Sequence, residues 1–448
     1  MSSDTEDKVE LLENASEIME DLADKLKKLY KYRDLFFENH PVELALQKHA
    51  CVDVKKEALV KKFESYDVDV QIPFPLRAQF LYMKGRCYNI SNKYDARAMQ
   101  CLSKAVKLNP HLVDAWNELG ECYLKNMNMK EAKASFEGAL KHERNRLSLR
   151  CLAIILRQEC GDLKQSEISS AMTKSVELAK EAVAQDIKDG ISWSVLGNTY
   201  LCQYFLIAQD PATLKLCMSA YKQAWSDPVA KGQPDLHFNK GVALKYSECY
   251  GEALQMFDQS CRLDPGWQPP ADERAELVRY LTEATKLVHT RGKLKAKRIS
   301  NMVQTIDKKM LGDYATDSDG ARKDVLLELV DIDKLQEGSN EGKVILGRVV
   351  GSIHNKNSVP FTFAIIDKSL KCVCVSVYNW ANGRGVIIGD VVAVPEPLLS
   401  SHALDSRLAK YEFQSIRVNN PLVLLVNGKR VNRNQYASTR VTSTYEVN

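Results

Sequence analysis

The chain is 448 residues long, 45% hydrophobic and 27% charged, proportions that exclude a largely disordered chain and a membrane protein; at roughly 150 residues per domain the length excludes one small domain and predicts about three. No stretch approaches the ~18 to 20 apolar residues of a transmembrane helix, and the start, MSSDTEDKVELLENASEIMEDLADK, is acidic where a signal peptide is basic and then apolar, which argues against secretion. The net charge of +4 is small as a total, so its distribution carries more information. Twelve cysteines without a spacing rhythm predict free thiols in a reducing compartment.

Residues 1 to 24 carry nine acids (Asp4, Glu6, Asp7, Glu10, Glu13, Glu17, Glu20, Asp21 and Asp24) against Lys8. From 8 to 64 the chain shows helical periodicity without repeat residues, the pattern of helices that cap the apolar end of a solenoid. Residues 1–70 are therefore read as an N-terminal helical cap.

A repeated pattern follows in residues 81–110, 115–140, 192–201 with 220–225, and 236–265. A small residue (Gly85, Gly120, Gly197 or Gly241) sits at the centre of one helix, and Ala98, Ala132 or Ala253 marks a second helix, so that two helices can approach closely. With Ala153 as the equivalent of the missing glycine, the spacings are 35, 33, 44 and 44 residues. The first two fit a 34-residue unit, and the last two require insertions, placed near 161–173 and 205–216. This is the pattern of a tetratricopeptide repeat array of about five repeats over residues 71–270, the third divergent. Residues 271–312 read as a C-terminal capping helix with a basic stretch: within 286–310, Lys286, Arg291, Lys293, Lys295, Lys297, Arg298, Lys308 and Lys309 stand against Asp307 alone.

After a polar linker at 313–324 the period changes. Short β-branched and aromatic runs, among them VILGRVV, FTFAIID, KCVCVSV and VIIGDVVAV, predict an all-β domain at 325–430 followed by a flexible tail at 431–448. Gly-Asp opening a buried strand resembles an OB-fold, a partly open five-stranded barrel. The expected fold is thus an all-α tetratricopeptide repeat superhelix at 8–310 and a separate small OB-fold barrel. Within 341–448 thirteen basic residues face seven acids, and Trp380, in YNWANG, is the candidate for an exposed base-stacking ring.

The order of these parts, with SKAVKLNP (103–110), VDAWNELGECY (113–123), DGISWSVLGNTYL (189–201), YGEALQMFDQSCRLDP (250–265), VPFTFAIID (359–367) and PLVLLVNGK (421–429), resembles the tetratricopeptide repeat protein five (Strap) family over nearly the full chain. Departures lie in the third repeat and at both termini. The resemblance implies one of two settings. The first is a ribosome-associated factor that binds the N-terminus of nascent tubulin and triggers tubulin mRNA decay. The second is a stress-responsive nuclear scaffold of co-activator proteins whose barrel binds nucleic acid. Cytoplasmic and nuclear localisation follows from the two together, with no membrane partner and no cofactor.

Enzymatic motifs are absent: the chain has no GxGxxG, Walker loop, HExxH or GxSxG. Cys372 and Cys374 share a strand face but supply only two ligands, so a core role is expected rather than a metal site. The first helices of tetratricopeptide repeats line a concave face that takes extended peptides. Their register makes Asp114, Asn117, Glu121, Arg150, Arg157, Asn198 and Asp235 the candidate groove residues. Arg157 and Asp235 suit a ligand with adjacent opposite charges, such as the Met-Arg-Glu start that the resemblance implies. Asn239 is expected to make a contact within its own repeat. Lys293, Lys295, Lys297 and Arg298 are the candidates for contacting phosphates of ribosomal RNA.

Overall fold

The computed structural model describes residues 3–161, 163–207, 209–314, 327–354, 360–381, 383–405 and 410–436. Most of the expected linker and tail lies outside these residues. The chain begins with α1 (Ser3–Asp34), α2 (Phe36–Asn39), a 3-10 turn at Val42–Gln47, α3 (Lys48–Glu64) and α4 (Val68–Gln71). Five helix pairs follow: α5 (Phe74–Tyr88) with α6 (Ala96–Leu108), α7 (Val113–Lys125) with α8 (Met129–His142), α9 (Arg146–Glu159) with α10 (Gln165–Gln185), α11 (Gly190–Leu206) with α12 (Pro211–Ala224), and, after the single turn α13 (Pro228–Lys231), α14 (Pro234–Tyr246) with α15 (Tyr250–Leu263). The long α16 (Gln268–His289) and the short α17 (Ala296–Gln304) complete the helical part.

The repeat glycines do what their spacing requires. A Cβ on Gly120 would lie 2.6 Å from the Phe136 ring, and one on Gly241 would lie 2.7 Å from the Phe257 ring. The partner helix has moved into the space a side chain would need. In the divergent repeat Ala153 is fully buried, and Ser175 of α10 donates a hydrogen bond to its carbonyl at 2.8 Å. Part of each expected interruption lengthens a helix: α10 runs to 21 residues and α11 to 17, against 13 or 14 for α6 to α9.

The β part is one curled sheet of β1 (Glu328–Leu329), β2 (Gly338–Ser339), β3 (Lys343–Ile353), β4 (Phe361–Ile366), β5 (Cys372–Val377), β6 (Val391–Pro395), β7 (Leu398–Asp405), β8 (Lys410–Val418), β9 (Leu425–Val426) and β10 (Lys429–Arg430). Its order is β10-β9-β6-β3-β4-β5-β8-β7-β2, with β1 pairing in parallel to β3 and β5 in parallel to β8. It forms a half-barrel of OB-fold type around Ile345, Phe363, Ile365, Val375, Val392 and Ile416.

The expectation of a separate barrel is corrected. One apolar core runs without a break from Leu196 and Tyr221 through Phe257 and Leu281 to Leu346, Ala364 and Phe413. The reason is geometric: the outer face of the half-barrel is apolar, and α16 lies on it, touching β3, β5 and β8. Polar groups join the same seam. Tyr378 donates to Glu248 Oε1 at 2.9 Å, and Arg417 donates to the Tyr246 carbonyl at 2.8 Å and to Glu248 at 3.3 Å while stacking 3.9 Å over the Tyr378 ring. Arg348 reaches the Met302 carbonyl of α17 at 2.9 Å, and Asn379 N–H donates to Gln209 Oε1 at 3.2 Å. The half-barrel is therefore built onto the last repeats and the capping helix.

Candidate functional site

The N-terminal segment does more than cap the first repeat. Tyr30 of α1 donates to the Arg86 carbonyl at 3.0 Å, Arg33 donates to the Ile90 carbonyl at 3.3 Å, and Arg86 stacks 4.3 Å over the Tyr30 ring. Glu118 of α7 is drawn into this contact by Arg86 at 3.0 Å and by Asn89, which donates to it at 3.0 Å. Burial, reinforced by neighbouring Glu121, pushes the Glu118 carboxyl above its ordinary range. Beyond α1 the chain reaches across to the fifth repeat: Arg33, Phe37 and Lys48 share a cavity of about 440 Å³ with Gln233, Leu263 and Asp264. The inner helices of repeats one and two are thus occupied by the chain itself.

Several expected groove residues prove to be ties between helices. Asn117 donates to Asn145 Oδ1 at 3.2 Å and accepts from the Ser148 hydroxyl, which links repeats two and three. Arg150 is paired with Asp189 at 2.9 Å, and Asp189 also caps α11. Asn198 accepts from the Tyr221 hydroxyl at 2.8 Å. These contacts engage the polar atoms that the register had assigned to a ligand. Asp114 lies in the first turn of α7, and Glu121 is half-buried with no hydrogen bond or ion pair to it among the described residues.

The remaining residues come together differently. Arg157, on the last turn of α9, is only 5% exposed, and its Nη1 has no hydrogen-bond partner among the described residues. Asp235 is the second residue of α14, half-buried, and the Arg157 charge acts on it although the two form no ion pair. Burial raises the Asp235 carboxyl above its ordinary range, against the pull of the Leu236 and Asp235 backbone N–H groups and of Arg157. One turn further on, Asn239 is 1% exposed, and both its Oδ1 and Nδ2 lack partners. The contact expected for Asn239 within its own repeat is not made. A buried amide with neither atom bonded costs roughly 1–3 kcal/mol for each unsatisfied group. Such groups are satisfied by ordered water, an ion or a ligand. Sequence reasoning assigned Asn239 to its own repeat; the available signal for its place beside Asp235 was its position one turn further along α14.

Chemically the three residues offer a cation, an anion and a bidentate amide. An amide of this kind pairs with a backbone amide, a guanidinium with a carboxylate, and a carboxylate with a basic group. Nearby His237 is held neutral, its pKa lowered to about 4 by burial, with Nε2 at 2.8 Å from the Lys231 carbonyl.

The basic stretch is open. Lys293, Lys295, Lys297 and Arg298 are all exposed and make no ion pair among the described residues. Gly292 sets their position: it adopts a left-handed φ of 69°, and a Cβ there would lie 2.0 Å from the Val350 carbonyl oxygen of β3. Trp380, expected as an exposed ring, is corrected: it is 3% exposed, packs 5.5 Å from Phe361 in the half-barrel core, and is covered by a β-bridge to Tyr436. Phe363, Tyr378, Tyr411 and Phe413 are buried as well. Cys372 and Cys374 are buried free thiols, and no group of three or more metal-ligating side chains occurs among the described residues.

Comparison with known proteins agrees with this architecture. Residues 326–440 match the tetratricopeptide repeat protein 5 OB fold domain, and residues 78–112 and 113–145 match the tetratricopeptide repeat. The chain is 40% identical over 437 residues to tetratricopeptide repeat protein 5 of Homo sapiens, covering 96% of this chain and 98% of that protein. The Mus musculus protein of the same name is 40% identical over 438 residues, again with 96% and 98% covered. Among solved structures, YrrB, described as a TPR protein with an unusual peptide-binding site, is 20% identical, covers 48% of this chain and 97% of its own, and gives a TM-score of 0.31. The Cut9-Hcn1 hetero-tetramer of the APC/C is 14% identical, covers 56% of this chain and 46% of its own, and gives a TM-score of 0.41.

Proposed function

The chain belongs to the tetratricopeptide repeat protein 5 family, and from that premise we propose that it is a non-enzymatic adaptor that captures an extended peptide in the groove of repeats three to five. The observation that carries the reading is the buried, unbonded set formed by Arg157 and Asn239 beside Asp235. These groups are costly in the free protein and become satisfied when a peptide supplies the missing partners. Adjacent opposite charges on the ligand fit the pair: a basic side chain meets Asp235 and an acidic one meets Arg157.

The Met-Arg-Glu start of nascent tubulin, implied by the resemblance, has this pattern. The proposed role is therefore recognition of that N-terminus at the ribosome, leading to decay of the tubulin mRNA. The exposed Lys293, Lys295, Lys297 and Arg298 support docking on an anionic surface such as ribosomal RNA. The burial of Trp380 disfavours base stacking on that ring.

The test is titration of a fluorescent Met-Arg-Glu-initiated peptide against the wild-type protein and the Asp235→Lys, Arg157→Asp and Asn239→Ala variants. Loss of one buried charge-assisted contact is expected to cost ~2–5 kcal/mol of binding. Equal affinity in all three variants refutes the groove assignment.

A further inference from the structure

Apart from the groove, α1 and α3 form an antiparallel pair at the N-terminal edge of the array, with Asp21 meeting Lys62 and Tyr32 meeting Lys55. Stacked helices fill the furrow between two neighbours with a third. On one side of this pair that third helix is α5, which touches both members. On another side a furrow of about 450 Å³ is lined by α1 and α3 alone. Its floor is Leu29, Tyr32, Ala58 and Leu59. Val54, 72% exposed and one helical turn before Ala58, extends the apolar strip.

The rim is basic. Lys25 and Lys28 stand on the α1 side, and Lys55 and Lys62 on the α3 side. Asp21 serves both Lys25 and Lys62, and Asp24 pairs with Lys28 at 2.6 Å. Lys55 has no acidic partner among the described residues and lies 4.6 Å from the Tyr32 ring centroid. Four ammonium groups thus face two carboxylates around an apolar floor.

We propose that this furrow docks an acidic amphipathic helix of a partner protein. Its apolar stripe covers the floor and its flanking carboxylates meet the rim lysines. Two parts of the structure select this occupant. The furrow has the shape that a third helix of the array would fill, and the unbalanced lysines select acidic flanks over basic or neutral ones. Because the surface lies outside the peptide groove, both can be occupied together, which would let the protein join a captured peptide to a second protein.

The experiment places benzoylphenylalanine at Ala58 in the full chain, irradiates cells, and identifies the crosslinked segment by mass spectrometry. That segment is then synthesised and titrated against wild type, Ala58→Arg, the double variant Lys28→Glu/Lys55→Glu, and Lys27→Glu as a control on the exposed face of α1. Ala58 is exposed, so arginine there does not burden the core; thermal unfolding checks the fold of each variant independently of any groove ligand. The expected segment carries apolar residues at helical spacing with net negative charge. It should bind at least tenfold more weakly to Ala58→Arg and to the double variant, and equally well to Lys27→Glu. The proposal is overturned if no segment crosslinks, if the segment comes from another copy of this chain, if it is basic or lacks an apolar stripe, or if Ala58→Arg binds it like wild type.

Discussion

Glu248→Ala tests whether the half-barrel is part of the helical array. Glu248 and Arg417 are the central ion pair of the seam, with side chains 6% and 10% exposed. Removing the carboxylate leaves the Arg417 guanidinium buried with the Tyr246 carbonyl and the Asn419 side chain as its hydrogen-bond acceptors, and leaves the Tyr378 hydroxyl without its acceptor. Breaking a buried pair in this way costs about 3–5 kcal/mol, against ~0–1 kcal/mol for an exposed one. Urea unfolding followed by intrinsic fluorescence should therefore show a lower midpoint for Glu248→Ala, or an early transition as the half-barrel separates from α16. The triple variant Glu248→Leu/Arg417→Met/Tyr378→Phe removes the carboxylate, the guanidinium and the phenol together at similar volume and should recover most of the loss. A loss below ~1 kcal/mol in the single variant would mean that the seam is solvated and the two parts are energetically independent. Cleavage within 313–324 that released a freely diffusing barrel would refute the shared core in the same way.

Arg157→Met is expected to leave the melting temperature unchanged or higher, because it removes a buried charge with an unbonded nitrogen, while peptide titration shows binding lost; a clear drop in stability would assign Arg157 a structural role. Asp235 has a raised pKa, and a cationic ligand binds its ionised form, so affinity should increase as pH rises through that value, with a proton released on binding; a flat profile in the acid range argues against the contact. His237 is neutral in the folded protein, its pKa lowered from 6.5 to about 4, so the stability it contributes is complete above 6.5 and falls by ~3 kcal/mol as pH drops toward 4; His237→Phe should flatten the urea midpoint over that window. If Lys293, Lys295, Lys297 and Arg298 contact nucleic-acid phosphates, replacing all four by Glu should reduce the log–log salt slope of ribosome association by about three, with groove affinity unchanged.

The repeat register was legible because close helix approach demands small residues at fixed spacing: Gly85, Gly120, Gly197 and Gly241 each face a large side chain of the partner helix. The strands were legible from alternation and turn residues, and the basic stretch from charge alone. What escaped was every feature set by the contact of parts distant in sequence. Trp380 looked like an exposed ring because it follows a strand in a polar loop, but Tyr436, more than fifty residues on, folds over it. Arg150 and Asn117 occupied ligand positions in the register, yet neighbouring repeats supplied Asp189 and Ser148 as partners. Register states which way a side chain faces and says nothing about what already stands there.

The same limit explains the mistaken separation of the two parts, and it bears on how they work together. A polar stretch between a helical and a strand pattern reads as a linker, because local composition cannot report that α16 has a second apolar face. Leu277, Leu281 and Ala284 of that helix are buried, and Tyr280 reaches the hydroxyls of Thr362 and Ser376 at 3.4 and 3.3 Å. Once α16 is shared, the groove, the basic stretch and the half-barrel hold fixed positions relative to one another, because α15 packs on α16, Lys245 of α14 pairs with Glu273 of α16 at 2.8 Å, and the 3-10 turn at 291–293 packs on β3. A flexible tether would let the two ends bind independently. If the groove captures a peptide and the basic face docks as proposed, a shared core would make the direction of that peptide depend on how the basic face is docked.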